Sequence, residues 1–249
     1  ALNNAIGRFY NAMGVELRQG YGLTETSPVI SVNRENCNNP VTVGQPIPGL
    51  QIRLGDMEEL QVKGPTVMKG YWKRPDATAE VFTEDGWFKT GDQADLSDAG
   101  RIRIKGRIKE IIVTSTGEKI PPTDMELAIQ TDPLFEQVMV VGEARPFITA
   151  LAVVNEAEWE KFAKEFNVDP TDERMLMRRD IRMAALKRLK KAASRFPQYG
   201  IPRNIRLLKE HWTVDNGCLT VTMKLRRPII REKLRAEIDE LYTVPQNNV

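Results

Sequence analysis

Residues 19–25 form a glycine-rich run whose side chains have the chemistry to bind a nucleotide. Its glycines let the backbone take unusual dihedral angles and approach a ligand closely. Tyr21 offers a flat ring that can stack on a purine, and the Thr24 hydroxyl can hold a phosphate oxygen. Glu25 is a hard oxygen ligand suited to the Mg²⁺ that accompanies nucleotide phosphates. The alternative for so short a motif is a plain strand and turn with a capping threonine and a surface glutamate.

Two charged residues further along the chain have the chemistry to bind a sugar. Asp92 ends the run 89–92 and can accept hydrogen bonds from both hydroxyls of a ribose. Arg107 lies in the charged run 106–110 and can donate several hydrogen bonds to a ribose or a phosphate. The alternatives are an ordinary turn aspartate and a solvated hairpin edge.

Two later loops contain a glycine and a lysine that could take part in a reaction. Gly117 lies in the run 115–122. The alternative there is a hairpin turn, which needs glycine for its positive φ whether or not a ligand binds. Lys224 ends the run 219–224, and a lysine on a short loop can stabilise charge that develops between a carboxylate and a phosphate. Because two arginines follow Lys224 closely, the residues alone favour a solvated basic surface there.

In this order, the runs 19–25, 89–92, 106–110 and 219–224 resemble the AMP-forming acyl-CoA synthetases and other adenylate-forming enzymes. The resemblance covers essentially the whole chain. It implies that Tyr21 stacks on adenine, that Gly22 adjoins the nucleotide and that Asp92 and Arg107 bind the ribose. It also implies that Thr24 contacts the α-phosphate and that Glu25 helps to bind Mg²⁺. Lys109 would be a hinge, Gly117 would line the pantetheine tunnel, and Lys224 would catalyse adenylate formation. Thr24 and Glu25 therefore count with Lys224 as catalytic candidates. The family usually has proline where this chain has Val221, a mild departure from the pattern.

Three segments in the second half of the chain resemble the bacterial long-chain fatty-acid–CoA ligases, namely 146–151, 156–196 and 238–242. The resemblance implies that a fatty acid, ATP and coenzyme A are the substrates and that Mg²⁺ is a cofactor. ATP would activate the fatty acid to acyl-AMP with release of pyrophosphate. Transfer of the acyl group to coenzyme A would then release AMP.

The resemblance covers only the C-terminal portion of such an enzyme. The chain begins at Ala1 without an initiator methionine, and the family's phosphate loop, rich in serine, threonine and glycine, would lie upstream of it. We therefore expect an upstream part of the same protein to complete the nucleotide and acyl sites. For the same reason we expect this chain alone not to catalyse adenylation.

Two other functions compete with this interpretation. The first is a fatty acyl-AMP ligase that loads a carrier protein; those relatives often have an insertion that hinders domain rotation, and none is evident around 105–111. The second is a non-catalytic module that docks on an anionic membrane surface through the segment 174–195, which carries nine basic residues and one acidic residue. A packed helix with a solvated basic face also explains that segment.

Net charge, apolar stretches and the cysteine and histidine content argue against several classes of function. The net charge of +2 gives no nucleic-acid signature, and no stretch approaches the length of a membrane span. Cys37, Cys218 and the single histidine, His211, argue against a tightly bound metal site and for reduced thiols in a cytoplasmic protein. We expect any membrane association to be peripheral.

The residue patterns predict an α+β fold. The patterns change from barrel-like strands to α+β at about residue 106. The resemblance implies that residues 1–106 are the end of the large N-terminal domain, with a distorted β-barrel subdomain, and that residues 107–249 are a small, mobile α+β C-terminal domain. Helices are predicted at 3–14, 76–82, 123–131, 156–166, 175–196 and 228–242, and strands at 15–19, 51–54, 59–63, 101–105, 111–113, 137–142, 147–154, 205–208 and 219–222. The last residues, 245–249, are expected to fray.

Overall fold

A computed structural model describes residues 4–243 of the chain. The chain forms two compact units, of which the first ends at Ile111 and the second begins at Ile112. The predicted domain boundary between residues 106 and 107 falls just before this division and stays a prediction. The tail 245–249 and the first position of the helix predicted at 3–14 lie outside the described residues.

The first unit is built from two antiparallel sheets. Its strands are β1 (Gly20–Gly22), β2 (Val29–Val32), β3 (Gln45–Pro46), β4 (Gln51–Leu54), β5 (Glu59–Lys63), β6 (Phe88–Asp98) and β7 (Arg101–Arg107), and its helices are α1 (Asn4–Ala12) and α2 (Pro75–Val81). The sheet orders are β1-β2-β3 and β4-β5-β6-β7. The core of this unit is apolar and includes Ile30, Leu60, Val62, Phe88, Ala94 and Ile102.

Strand β6 shows how the sequence pattern places a polar side chain in the interior. Alternate residues along a strand point to the same face. From Phe88 to Ala94 every second residue is buried, so Thr90 and Asp92 face inward together with these two apolar residues. The Thr90 hydroxyl donates a hydrogen bond to the Leu60 carbonyl on β5, at 2.8 Å. A buried threonine with a satisfied hydroxyl therefore precedes the candidate carboxylate.

The second unit packs helices on both faces of a mixed sheet. Its strands are β8 (Ile112–Val113), β9 (Lys119–Ile120), β10 (Phe135–Val141), β11 (Thr149–Val154) and β12 (Asn204–Leu208), and its helices are α3 (Pro122–Ile129), α4 (Glu156–Glu165), α5 (Arg179–Ala192), α6 (Arg227–Lys233) and α7 (Arg235–Thr243). The mixed sheet contains β10, β11 and β12, and in it β11 pairs antiparallel with β10 and parallel with β12. Strands β8 and β9 form a separate antiparallel pair. Every residue of β11 is buried, because its two faces contribute to two separate apolar clusters. The predicted α+β fold is confirmed.

Short 3-10 turns connect several of these elements. They span Thr24–Thr26, Glu35–Cys37, Asp56–Glu58, Ile108–Glu110, Glu173–Met177 and Gln198–Gly200. Within residues 4–243, no helix combines the length and the apolar character that crossing a membrane requires.

Four predicted elements differ from the structure. The strand predicted at 15–19 is wrong, because side chains rather than a partner strand satisfy the Leu17 backbone: Asn11 Oδ1 accepts from its amide and Asn38 Nδ2 donates to its carbonyl. The strand at 219–222 is wrong as well, since only one bridge pair, Leu219 with Leu225, forms there. The helices predicted at 175–196 and 228–242 are each interrupted, at the extended Arg178 and at Leu234.

Candidate nucleotide-binding and catalytic residues

Three predicted site residues of the first unit meet in one hydrogen-bonded group. The Tyr21 hydroxyl donates to Asp92 Oδ2, and Arg107 Nε lies 2.9 Å from Asp92 Oδ1. The sheet register brings the last two together, because Asp92 on β6 stands opposite Arg107 on β7. Asp92 is only 4 % exposed, whereas the Arg107 side chain is 44 % exposed. The carboxylate is therefore held inside the unit beside a cation that solvent can reach.

The backbone before Asp92 is fixed by neighbouring polar groups. The Asp92 amide donates to the Thr90 hydroxyl at 3.1 Å, and the Gly91 amide donates to Glu59 Oε1 at 3.1 Å. Such local bonds restrict the carboxylate to one position, which a binding group needs in order to recognise its ligand without a large entropic cost.

Burial and the neighbouring carboxylate keep the Tyr21 phenol protonated. The pKa of Tyr21 is raised far above its ordinary value, first because the phenol is removed from water and second because an ionised Tyr21 would lie against Asp92. At neutral pH the hydroxyl is therefore a hydrogen-bond donor to Asp92. Stacking of the ring on adenine remains a prediction.

Gly22 lies where the chain has no room for a side chain. A Cβ atom there would come within 1.8 Å of the Pro28 carbonyl oxygen on the antiparallel segment. The turn that follows is closed by Thr26, whose buried hydroxyl accepts from the Leu23 amide at 3.1 Å and lies 2.9 Å from the Leu23 carbonyl. This turn leaves Thr24 on the surface.

Glu25 is held at two points. Its carbonyl accepts a hydrogen bond from the Met68 amide at 2.8 Å, and its Oε1 accepts one from the Tyr71 hydroxyl at 2.8 Å. Burial and this hydrogen bond raise the pKa of Tyr71, so the phenol remains a donor at neutral pH. The half-buried Glu25 carboxylate thus has a fixed orientation at the edge of the unit.

The chemistry around Glu25 suits a cation that arrives with a nucleotide. Among residues 4–243, no three histidine, cysteine, aspartate or glutamate side chains come together as a metal-binding group. Mg²⁺ commonly binds to one or two protein carboxylates together with substrate phosphates rather than to a cage made only of protein. One oriented carboxylate, Glu25, fits that mode of binding.

The predicted hinge residue lies in a short turn next to the division between the units. Lys109 is exposed, and the 3-10 turn that contains it ends where the Ile111 amide donates to the Ile108 carbonyl at 3.2 Å. No described residue pairs with its ammonium group.

In the second unit, Gly117 lies in the loop between β8 and β9. Its φ of +87° is one that L side chains rarely adopt, whereas a Cβ atom there would meet nothing within 4 Å. The Gly117 amide donates to the Thr114 carbonyl at 3.0 Å, so the loop is a tight turn. Gly117 is therefore required by the backbone conformation, and the space beside it is open.

Lys224 lies at the exposed end of a small hairpin, residues 218–226. The Thr220 amide donates to the Lys224 carbonyl at 2.9 Å and the Arg226 amide to the Cys218 carbonyl at 2.8 Å, which close the loop. Val221 and Met223 at the tip are 86 % and 67 % exposed. The ammonium group of Lys224 makes no ion pair with any side chain in the described part of the chain.

The basic neighbours of Lys224 have different surroundings. Arg227 makes a two-pronged ion pair with Glu126, with both N–O distances at 2.7 Å. The Arg226 guanidinium makes one long contact of 3.4 Å with the Gly217 carbonyl. The interpretation of this segment as a uniformly solvated basic surface is therefore wrong for Arg227. Lys224, by contrast, is exposed to solvent and its ammonium group has no partner among residues 4–243.

Sequence reasoning missed two residues that orient charged groups, one of them the candidate Glu25 and the other Arg227, close to the candidate Lys224. Tyr71, which holds Glu25, is separated from it by 46 residues, and Glu126, which holds Arg227, by 101 residues. Local spacing carries no signal for such contacts. The only hint is chemical, since a glutamate that is buried among apolar residues needs a polar partner.

Comparison with known proteins identifies both halves of the chain. The profile of the AMP-binding enzyme family matches residues 1–72, and that of the AMP-binding enzyme C-terminal domain matches residues 109–245. The A domain of a carboxylic acid reductase from Segniliparus rugosus, solved in complex with AMP and a co-purified carboxylic acid, has a similar fold. It is 27% identical with a TM-score of 0.74, and the match covers 95% of this chain and 37% of that one.

Two relatives show how much of their own length this chain matches. The long-chain-fatty-acid–CoA ligase FadD15 of Mycobacterium bovis is 37% identical over 97% of this chain and 40% of its own length. The chloroplastic long-chain-fatty-acid–[acyl-carrier-protein] ligase AEE15 of Arabidopsis thaliana is 33% identical over 96% of this chain and 34% of its own length. The chain thus spans well under half the length of these relatives. It belongs to the family of AMP-binding enzymes.

Proposed function

We propose that the chain is the C-terminal part of an AMP-forming ligase that activates fatty acids, with long-chain acids as the substrate class. The observation that carries the proposal is the group of Tyr21, Asp92 and Arg107, a fixed buried carboxylate beside an accessible cation. Such a group has the donors and acceptors that a ribose and its phosphate require. The relatives that match nearly the whole chain are named as fatty-acid ligases, which supports the same substrate class.

The proposed reaction has two steps. In the first, a carboxylate oxygen of the fatty acid attacks the α-phosphorus of ATP, and the bond to pyrophosphate breaks to leave acyl-AMP. In the second, the thiol of coenzyme A attacks the acyl carbon, AMP leaves, and the thiol proton passes to solvent. Mg²⁺ would neutralise phosphate charge when bound.

The residues of the first unit have distinct roles in this proposal. Asp92 and Arg107 bind the ribose, Tyr21 and Gly22 adjoin the adenine, and Thr24 contacts the α-phosphate. Glu25, held by Tyr71, is the carboxylate for Mg²⁺. The exposure of Thr24 and the fixed orientation of Glu25 support this assignment.

The second unit and the turn before it contribute to both steps of the proposed reaction. Lys224 stabilises the charge that develops as the carboxylate attacks, a role for which an unpartnered exposed ammonium is suited. Lys109 is the hinge that absorbs a backbone rotation between the two steps. Gly117 lines the path of the pantetheine arm, and the open space beside its α-carbon supports that role.

The identity of the acyl acceptor is tested with the protein that contains this chain and its upstream part, to which different acceptors are supplied. We propose coenzyme A, because β7 runs directly into the turn at Ile108–Glu110 without an inserted segment. The assay follows acyl-AMP and acyl thioester with fatty acids of graded length, with coenzyme A or with holo acyl carrier protein. Thioester formed on coenzyme A supports the proposal, whereas accumulation of acyl-AMP until carrier protein is added would replace it with a carrier-loading ligase.

A further assay uses the chain alone. Because the chain matches only part of its relatives, we propose that it binds nucleotide weakly and does not form acyl-AMP by itself. Full turnover by the 249-residue chain would contradict this.

A second candidate function is docking of helix α5 on an anionic membrane. Two arginines of α5 pack against the rest of the second unit. Arg182 donates a hydrogen bond to Asn204 Oδ1 at 2.7 Å, and Arg188 donates one to Asp132 Oδ1 at 2.6 Å. The opposite face of α5 is exposed, and four residues lie along it at four-residue spacing: Arg179, Met183, Lys187 and Lys191. Cations that share one exposed helical face are attracted to the negative surface of anionic membranes.

Sedimentation with phosphatidylserine-containing vesicles tests this candidate. The triple variant Arg179→Gln, Lys187→Gln, Lys191→Gln is compared with a control of equal charge change at exposed positions elsewhere: Lys164→Gln, Arg231→Gln, Arg235→Gln. Loss of binding in the first variant alone supports docking by α5. Equal loss in both, or no binding by the unaltered protein, rejects it.

A further inference from the structure

A buried ion pair lies at the base of the hairpin that carries Lys224. Glu126 is 5 % exposed, and its two carboxylate oxygens accept from the two terminal nitrogens of Arg227, each at 2.7 Å. The Val140 amide also donates to Glu126 Oε1, at 2.7 Å. This pair therefore connects helix α3, strand β10 and the start of helix α6.

Arg227 is close in sequence to the hairpin and begins the helix that follows it. The amide of Arg226 closes the hairpin through the Cys218 carbonyl, and Arg227 comes next as the first residue of α6. On the other side, Cys218 and Leu219 are buried in the apolar cluster that also contains Ile230 of α6. The base of the hairpin is thus fixed at both ends, although its tip makes only local hydrogen bonds.

We propose that Glu126 and Arg227 are positioning residues for Lys224. This inference rests on the proposed function. The exposed ammonium group has no partner among residues 4–243 that could fix its place, so its position follows from the orientation of the hairpin base. A two-pronged pair between planar groups fixes direction as well as distance. Small displacements of a reacting group are costly to catalysis even when the fold is kept.

The proposal predicts that breaking the pair harms one half-reaction. Fatty-acid-dependent exchange of pyrophosphate into ATP reports adenylation, and conversion of supplied acyl-AMP to acyl-CoA reports the second step. In the protein that contains this chain and its upstream part, Glu126→Gln is expected to lower adenylation about tenfold or more. The second step should change less than about twofold, because it does not use Lys224.

A conservative variant keeps the proposal testable if Glu126→Gln folds poorly, as loss of one partner of a buried pair often causes. Arg227→Lys keeps the charge but provides a single point donor instead of a fork. It should give an adenylation rate between that of the unaltered protein and that of Glu126→Gln, with the second step preserved. An Arg227→Lys protein with unaltered adenylation would overturn the proposal.

Two controls separate positioning from stability. Arg231→Gln removes an exposed arginine from the same helix and should leave both half-reactions unchanged. Leu189→Ala creates a cavity in the other apolar cluster, away from the hairpin, and should lower both half-reactions by a similar factor through loss of folded protein. If Arg227→Lys, or Glu126→Gln that folds like the unaltered protein, lowers both half-reactions by a similar factor, the pair is only structural and the proposal is wrong.

Lys224→Ala distinguishes this inference from the proposed function on which it rests. If Lys224→Ala abolishes adenylation while Glu126→Gln and Arg227→Lys do not affect it, the function stands and the positioning role fails. If Lys224→Ala leaves adenylation intact, the role of the lysine itself is wrong and the positioning role falls with it.

Discussion

The hydroxyl of Tyr21 donates a hydrogen bond to the carboxylate of Asp92, although 71 residues separate them. The contact joins strand β1 of one sheet to strand β6 of the other, so it links the motif at 19–25 to the motif at 89–92. A hydrogen bond to a charged group contributes about 1.5–3 kcal/mol to stability. The hydrogen bond between Tyr21 and Asp92 therefore also holds together two motifs that resemble nucleotide-binding segments.

Tyr21 should keep its proton well above pH 10, the ordinary pKa of a tyrosine phenol. Because its folded-state pKa is raised, the stability it provides is present below the unfolded pKa and is lost as the pH rises towards the folded pKa. Phenolate absorbance at 295 nm, followed by titration from about pH 9 to 11, should be the same for the native protein and Tyr21→Phe. Loss of one phenolate equivalent in the variant would show that Tyr21 titrates normally.

Gly22→Ala should destabilise the first unit more than Gly20→Ala does. The added methyl would lie 1.8 Å from the Pro28 carbonyl oxygen at residue 22, but 3.2 Å from the Ser31 carbonyl oxygen at residue 20. Overpacking costs about 1–3 kcal/mol, and a clash with backbone is at the upper end of that range. Urea unfolding of the two variants measures the difference, and equal stabilities would contradict the described turn.

Tyr71→Phe should weaken the response of the longer protein to Mg²⁺ without unfolding it. The variant removes the hydrogen bond of 2.8 Å to Glu25 Oε1 and leaves the ring in place. Loss of one exposed hydrogen bond costs about 1 kcal/mol, so the Mg²⁺ concentration for half-maximal adenylation should rise about fivefold. Tyr199→Phe, an exposed tyrosine of the second unit, is the matched control. An unchanged Mg²⁺ requirement in Tyr71→Phe would remove Glu25 from the metal site or Tyr71 from its support.

Local pattern predicted several strands of the first unit, but not the two that carry Tyr21 and Asp92, β1 and β6. The strand predicted at 51–54 has those bounds in the structure, and those at 59–63 and 101–105 are also present, because alternating apolar residues report a sheet with one buried face. The burial of Asp92 on β6 is instead seen only in the structure, where every second residue from Phe88 to Ala94 is buried. The α+β character of the second half likewise follows from its alternating helix and strand patterns.

Contacts between distant segments could not be predicted in this way. The segment 15–19 alternates like a strand, but Asn11 and Asn38 take the backbone groups of Leu17. The pairing of Glu126 with Arg227 depends on how α6 packs, and no spacing in the sequence encodes it. Sequence motifs thus indicate which residues could act, whereas the tertiary contacts show how some of them are held.

The most direct test of the proposed function is fatty-acid-dependent exchange of pyrophosphate into ATP by the longer protein, with Lys224→Ala beside Arg226→Ala. Lys224 is exposed and its ammonium makes no ion pair within residues 4–243, so its removal should leave the unfolding free energy unchanged. We predict that Lys224→Ala lowers exchange about 10²–10³-fold, as loss of one charge-stabilising group does. Arg226→Ala, which loses only a 3.4 Å contact with the Gly217 carbonyl, should retain most of it. Exchange that persists in Lys224→Ala, or that never depends on a fatty acid, would contradict the account.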